Sequence, residues 1–351
     1  EPLVRDRGPA RVATESERPA LRWLALLPLL ILTACATPHM QEALMPDGTP
    51  QPRFEPELST FTSFDGAELG LTVWQADAGV EGAGAEHVIL GVHGMNDYAN
   101  AFHMVAPWFA ERGVTTYAYD QRGFGRSVER GIWPEPDLMR EDIRVAIDLV
   151  RARHPDATLT LIGISMGGSA AMTLFGSDNP PEGVDRLILS GPGLRGWGAM
   201  NWLYRGALWL SAHTRPGWVV RPPRGVKIEP SDNVEMLRRM MEDPLRMTDN
   251  RIDQVYGVVA LMEAAHEAAP KLPESLPTLM TYGARDIVVP PGGVRRTLKI
   301  LAPHVRTAYY PKGYHMLLRD LQAETVYADM WAFMQDPSAP LPSGVSSIPA
   351  K

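Results

Sequence analysis

Only one cysteine, Cys35, stands among the 351 residues. A single thiol excludes an internal disulfide framework and any cysteine-built zinc site. Positive charge is also scarce. The 34 Lys and Arg against 41 Asp and Glu give a net charge of −7, the reverse of the basic footprint that a nucleic-acid partner requires. No apolar run reaches the roughly 20 residues needed to cross a bilayer core. The sequence has no H-E-x-x-H, no P-loop and no paired cluster of metal ligands, so it calls for no metal and no cofactor. Internal repeats and low-complexity tracts are missing as well. The remainder is ordinary for a soluble globular chain, with 45% apolar and 21% charged residues and enough length to bury a large core.

The cysteine is notable for its position. It follows a short apolar run, Trp23 to Ala34, flanked on its N-terminal side by Arg18 and Arg22. That pattern fits the h-region of a secretory signal. The ending Leu32-Thr33-Ala34-Cys35 resembles a bacterial lipobox. The resemblance implies cleavage before Cys35, acylation of its thiol and a lipid-anchored life in the bacterial cell envelope. Ala36 after the cysteine, rather than Asp, favours the outer membrane by the same resemblance. Residues 1–35 are therefore expected to be a signal peptide, and 36–56, rich in Pro, Gly and Gln, a linker.

From Ser59 a strand–helix rhythm begins. Strands are expected at Ser59–Ser63, Glu68–Gln75, His87–Val92, Val114–Tyr119, Thr158–Ile162, Arg186–Ser190, Pro277–Tyr282 and Val305–Tyr310. Helices are expected at Ala99–Arg112, Asp137–Arg153, Ser169–Phe175, Gly293–Leu301 and Leu321–Phe333. Such alternation predicts an α/β fold, with a mostly parallel central sheet covered by helices on both faces. The rhythm breaks over 193–270, which reads as an inserted helical cap between two core segments, 57–192 and 271–336. Residues 337–351 read as a flexible tail.

The chemistry centres on Gly163-Ile164-Ser165-Met166-Gly167, a G-x-S-x-G sequence set between an apolar strand and a helix. That context places Ser165 on a sharp strand-to-helix turn, with the helix N-terminus facing developing negative charge. A serine hydroxyl needs a base, and the base needs an orienting carboxylate. Asp286 and His315 each follow a strand in the second core segment. They occur in the order Ser–Asp–His, which brings them to the same sheet edge as Ser165. His304 precedes its strand and belongs at the opposite edge. The oxyanion donors are expected to be the amides of Met166 and Met95, the latter in the loop His93-Gly94-Met95-Asn96-Asp97-Tyr98. His93 reads as a structural residue holding that loop. In the cap, Trp197, Trp202, Leu208 and Trp209 are candidates for an acyl tunnel.

Together with Asp120-Gln121-Arg122-Gly123-Phe124-Gly125-Arg126-Ser127 and Gly313-Tyr314-His315, these motifs resemble the monoacylglycerol lipase and lysophospholipase branch of the α/β-hydrolases over roughly residues 59–335. The resemblance implies a carboxylic-ester hydrolase acting on lipids with one acyl chain, with Ser165, Asp286 and His315 as its triad. Aminopeptidase, acyltransferase and perhydrolase chemistry use the same fold and remain open. So does a noncatalytic envelope lipoprotein. Dehalogenases and epoxide hydrolases carry an aspartate where Ser165 stands, which argues against those reactions.

Overall fold

The computed structural model describes residues 36–44, 48, 50–77, 86–220 and 228–350. Cys35 and the apolar run before it lie outside the described residues. Nine strands form one sheet: β1 (Arg53–Glu55), β2 (Thr60–Thr62), β3 (Glu68–Trp74), β4 (His87–Val92), β5 (Thr115–Tyr119), β6 (Thr158–Ile164), β7 (Arg186–Ser190), β8 (Thr278–Gly283) and β9 (Arg306–Tyr310). Their spatial order is β9-β8-β7-β6-β4-β5-β3-β2-β1. From β9 through β5 every pairing is parallel. The pairs β5–β3, β3–β2 and β2–β1 are antiparallel.

Why the middle strands read as unbroken apolar runs is plain from the two cores. Along β4, Val88, Leu90 and Val92 enter one core and Ile89 the other. The same split separates Leu187 and Leu189 from Ile188 on β7. A strand covered on both faces has no polar side to show. Among the described residues, the helices outside the cap are α1 (Val105–Ala110), α2 (Pro136–Arg153), α3 (Met166–Phe175), α7 (Pro291–Leu298) and α8 (Ala323–Gln335); α2, α3 and α7 cover one face, and α1 and α8 the other. Helix α2 begins with Pro136 and Asp137 and ends with Arg151 and Arg153, a charge order that suits the helix dipole.

The cap consists of α4 (Trp202–Thr214), α5 (Val234–Glu242) and α6 (Ile252–Ala268), with a two-residue antiparallel pairing of Val219–Val220 and Asn250–Arg251. Helix α6 belongs to cap and core alike. Ile252 and Val259 join Leu208 and Ala212 of α4, while Leu261 and Ala265 enter the main core.

Three expectations are corrected. The expected helix Ala99–Arg112 is a 3-10 turn, Ala99–Phe102, followed by the short α1. Residues 36–56 do not run free where they are described. Met40–Gln41 pairs in parallel with Trp133–Pro134, and the buried Gln41 side chain donates to the Ile132 carbonyl at 2.8 Å. Arg53–Glu55 adds the outermost strand. Over 337–350 the chain is docked rather than flexible. Tyr309 N–H donates to Ser346 O at 2.8 Å, Ile348 N–H donates to Thr307 Oγ1 at 3.1 Å, and Ile348 is buried. The cause is that β9 is an edge strand with unpaired backbone groups, which this segment satisfies.

Candidate active site

Ser165 directly follows β6, Asp286 lies three residues past β8, and His315 five past β9. All three thus sit outside the C-terminal ends of parallel strands, where open α/β sheets form their clefts. Ser165 has φ 49° and ψ −113°, a conformation that side-chain-bearing residues rarely adopt. Its backbone is held on both sides. Its N–H donates to Ser190 O at 3.0 Å, and its carbonyl accepts from Ser169 N and Gly193 N, each at 3.0 Å. Glycines make the turn possible by close approach. A β-carbon on Gly167 would lie 2.3 Å from the Val92 carbonyl oxygen, and one on Gly163 would lie 2.7 Å from the Gly168 α-carbon.

The three side chains form one hydrogen-bonded line. His315 Nδ1 lies 2.8 Å from Asp286 Oδ2, and His315 Nε2 lies 3.0 Å from Ser165 Oγ. The other oxygen of Asp286 accepts the Val288 and Val289 amides at 2.9 and 2.8 Å. A carboxylate only accepts, so Nδ1 carries the proton and Nε2 presents its lone pair to the serine hydroxyl. Asp286 and His315 are buried, while Ser165 is half-buried.

The loop after β4 packs directly on the serine. A β-carbon on Gly94 would stand 3.1 Å from that of Ser165, so the next amide, Met95, starts beside the nucleophile. Met166 opens α3. Neither amide is taken by a backbone acceptor among the turn and loop hydrogen bonds of the described residues. His93 is fully buried and holds this loop. Its Nδ1 donates to Gly94 O at 2.7 Å, and its Nε2 accepts the Gln121 amide at 2.8 Å. Burial pushes its pKa below the ordinary histidine value, in keeping with a neutral ring. Asp120 adds a second brace, accepting the Ala99 amide at 2.9 Å and Arg126 Nε at 2.8 Å. The motif at residues 120–127 therefore supports the loop rather than touching the serine.

His304 precedes β9, at the far end of the sheet from Ser165. The cap residues fall into two groups. Leu208 is buried against α6, and Trp197 packs edge-on against Tyr256, 5.1 Å between ring centroids. Trp202 and Trp209 are 78% and 51% exposed. The tunnel expectation is corrected accordingly. A single helix lying over α6 turns one stripe inward, and Leu208 with Ala212 fills it.

Sequence reading passed over Ser231 and Arg319 near the site. Asp320 accepts Ser231 Oγ at 2.7 Å and the Tyr314 amide at 2.8 Å, tying the cap to the loop that carries His315. Arg319 pairs with Asp97, just beyond the Gly94–Met95 turn, at 2.5 Å. A polar Ser-Asp-Asn run and an Arg-Asp pair were the only signals, and neither specifies a partner.

This sheet, its interrupting helical cap and the serine turn at the strand edge define an α/β-hydrolase. Residues 83–322 match the family model described as Serine aminopeptidase, S33, and the chain belongs to that family. It is 24% identical over 280 residues to a monoacylglycerol lipase of Mycolicibacterium smegmatis, covering 78% of this chain and 95% of the relative. To the monoglyceride lipase of Mus musculus it is 23% identical, over 82% of this chain and 92% of the relative. Among solved structures, a soluble variant of the Saccharomyces cerevisiae monoglyceride lipase with a substrate analog superposes with a TM-score of 0.65. That match has 17% identity and covers 88% of this chain and 100% of the other. The chain is a hydrolase of monoacylglycerol-lipase-like type.

Proposed function

We propose that this protein cleaves carboxylic esters of single-acyl-chain lipids, monoacylglycerols or lysophospholipids, through an acyl-enzyme on Ser165. The observation that carries the reading is the Ser165–His315–Asp286 line on a strained turn. In the first half-reaction His315 Nε2 takes the Ser165 proton as Oγ attacks the ester carbonyl. The oxyanion forms against the Met95 and Met166 amides, each such donor contributing about 2.7–4 kcal/mol to lowering the barrier. Collapse expels the alcohol, which receives the proton from His315. Water then repeats the sequence on the acyl-enzyme and releases the fatty acid. Asp286 keeps the ring in the required tautomer throughout.

A lipid substrate is supported by the relatives named as monoacylglycerol lipases and by the outer face of α4, where Trp202, Leu203, Tyr204, Trp209 and Leu210 are exposed. Aromatic and leucine side chains on one exposed helix suit the boundary of a bilayer. The proposal includes an acyl anchor on Cys35 that holds the protein to the cell envelope, at the outer membrane. A substrate panel tests the reaction. p-Nitrophenyl esters, monoacylglycerols and lysophospholipids should be cleaved, and aminoacyl amides should not. Preference for the amides would make the protein an aminopeptidase instead.

A further inference from the structure

A cavity of about 440 Å³ opens between the segment after the Gly94–Met95 turn and cap helix α5. Asp97, Asn100 and His103 line it from the core, Arg239 and Arg246 from the cap, and Arg319 from the loop beyond His315. The volume falls in the range of small-molecule sites, roughly 300–1,000 Å³. Three arginines and three carboxylates in the lining, with Met104, Met236 and Met240 beside them, suit a polar headgroup better than an acyl chain.

The cavity adjoins the candidate active site through the backbone. Asp97 N–H donates to Gly94 O at 3.3 Å, closing the turn that packs on Ser165. Met247 N–H donates to Asn96 O at 2.9 Å, which fixes Arg246 beside the residue that follows Met95. Arg319 follows His315 by four residues, its amide bonded to Met316 O at 2.7 Å.

Among the charged groups of the lining in the described residues, one is poorly served. Asp97 pairs with Arg319, and Glu235 with Arg239 at 2.9 Å. Asp243 accepts the Tyr98 hydroxyl at 2.6 Å and the Leu245 amide at 2.9 Å. Arg246 has five N–H donors. Among the described residues its side chain makes one hydrogen bond, to the Met241 sulfur at 3.3 Å, and no ion pair. A thioether is a weak acceptor. Burial pushes the guanidinium pKa below its ordinary value, the mark of a cation that has lost water without gaining a full partner. A planar guanidinium matches phosphate oxygens in a two-pronged contact.

We propose that this cavity binds the phosphate of a glycerophospholipid headgroup on Arg246, which makes a lysophospholipid, rather than an uncharged monoacylglycerol, the preferred substrate. The assignment rests on the Ser165 ester-hydrolase reading. The acyl ester then meets Ser165 while the phosphate reaches the cavity beside the Gly94–Asp97 turn.

The test uses the full chain with acyl-matched 1-oleoylglycerol and 1-oleoyl-glycero-3-phosphocholine. Its readout is the ratio of kcat/KM for the phospholipid to that for the glyceride. Arg246→Gln should lower this ratio about tenfold or more, mainly through KM, and Arg246→Lys should recover part of it. Melting temperatures establish that both variants fold. Glycerol 3-phosphate should compete with p-nitrophenyl butyrate more strongly in the wild type than in Arg246→Gln. An unchanged ratio, or a wild type that cleaves the glyceride and spares the phospholipid, overturns the proposal. Inhibition by inorganic phosphate that matches glycerol 3-phosphate, with no change in the substrate ratio, reassigns the cavity to a free anion and also overturns it. Wild-type failure on p-nitrophenyl butyrate is a different result, because it refutes the Ser165 reading itself.

Discussion

The backbone N–H of Ala36 donates to the carbonyl of His213 at 2.8 Å. The first described residue is thereby fixed to the last turn of α4, the helix whose Trp202, Trp209 and Leu210 face outward. An acyl group on Cys35 would therefore emerge one residue from that apolar face, and the cap would be held against the bilayer on a very short leash. Cys35→Ala should move the protein from washed membranes toward the soluble fraction. Trp202→Ser with Trp209→Ser should then abolish residual binding to phospholipid vesicles, since each buried aromatic contributes about 1.5–3 kcal/mol. Flotation of all variants with vesicles, and mass analysis of the N-terminal peptide, check this. Equal flotation of wild type and every variant, with no acyl mass, would remove both anchor and docking face.

Asp286 engages His315 with one oxygen and two backbone amides with the other. In Asp286→Asn the amide oxygen is drawn to those backbone donors, so the NH₂ faces Nδ1 and forces the wrong tautomer. The expected loss in kcat is about ten-thousandfold, smaller than the roughly millionfold loss for His315→Ala. Steady-state rates on p-nitrophenyl butyrate decide it. Wild-type activity in Asp286→Asn would point to another carboxylate.

Two glycine substitutions should behave oppositely. In Gly167→Ala the new carbon meets the Val92 and His93 carbonyls at 2.3 and 2.6 Å, both backbone atoms that cannot step aside. Expression or melting temperature should collapse. Gly206, within α4, has nothing within 4 Å of the position a methyl group would take, and Gly206→Ala should add about 0.5–1 kcal/mol through helix propensity. Thermal melts of the pair test the close packing around the serine turn.

Burial pushes the Asp320 carboxyl up to about 6 from an ordinary 3.8. Between those values the folded protein holds a proton that the unfolded chain has released. The resulting stabilisation is fully present below about pH 4 and is lost as pH rises through about 6. Asp320→Asn removes this dependence. The stability of wild type minus variant should fall as pH rises from about 4 to about 7. A difference that stays flat across that range contradicts the burial argument.

Much of the architecture was legible because its physics is local. The apolar run of β4 and the strand–serine–helix order at Gly163–Gly167 each declare themselves within a dozen residues. Asp286 and His315 were legible because chain order and strand ends fix the edge at which they must appear. What escaped depends on partners distant in sequence. Gln41 reads as a linker residue until the carbonyl of Ile132, 91 positions away, accepts its amide. Ile348 reads as part of a loose tail until the unpaired edge of β9 receives it. Helix α4 is apolar on nearly every side, so periodicity could not tell Leu208, which faces α6, from Trp209, which faces outward. Arg246 carried no motif at all, and its interest comes from the acceptors it lacks.

The most direct measurement is fluorophosphonate labelling of the purified full chain, followed by intact mass and peptide mapping. The account predicts one adduct, located on Ser165, with ester hydrolysis lost in proportion to labelling. It further predicts that Ser165→Ala takes up no probe and loses hydrolysis by several orders of magnitude at an unchanged melting temperature. An adduct on another residue, or a folded Ser165→Ala that keeps more than about a tenth of the wild-type rate, would contradict it.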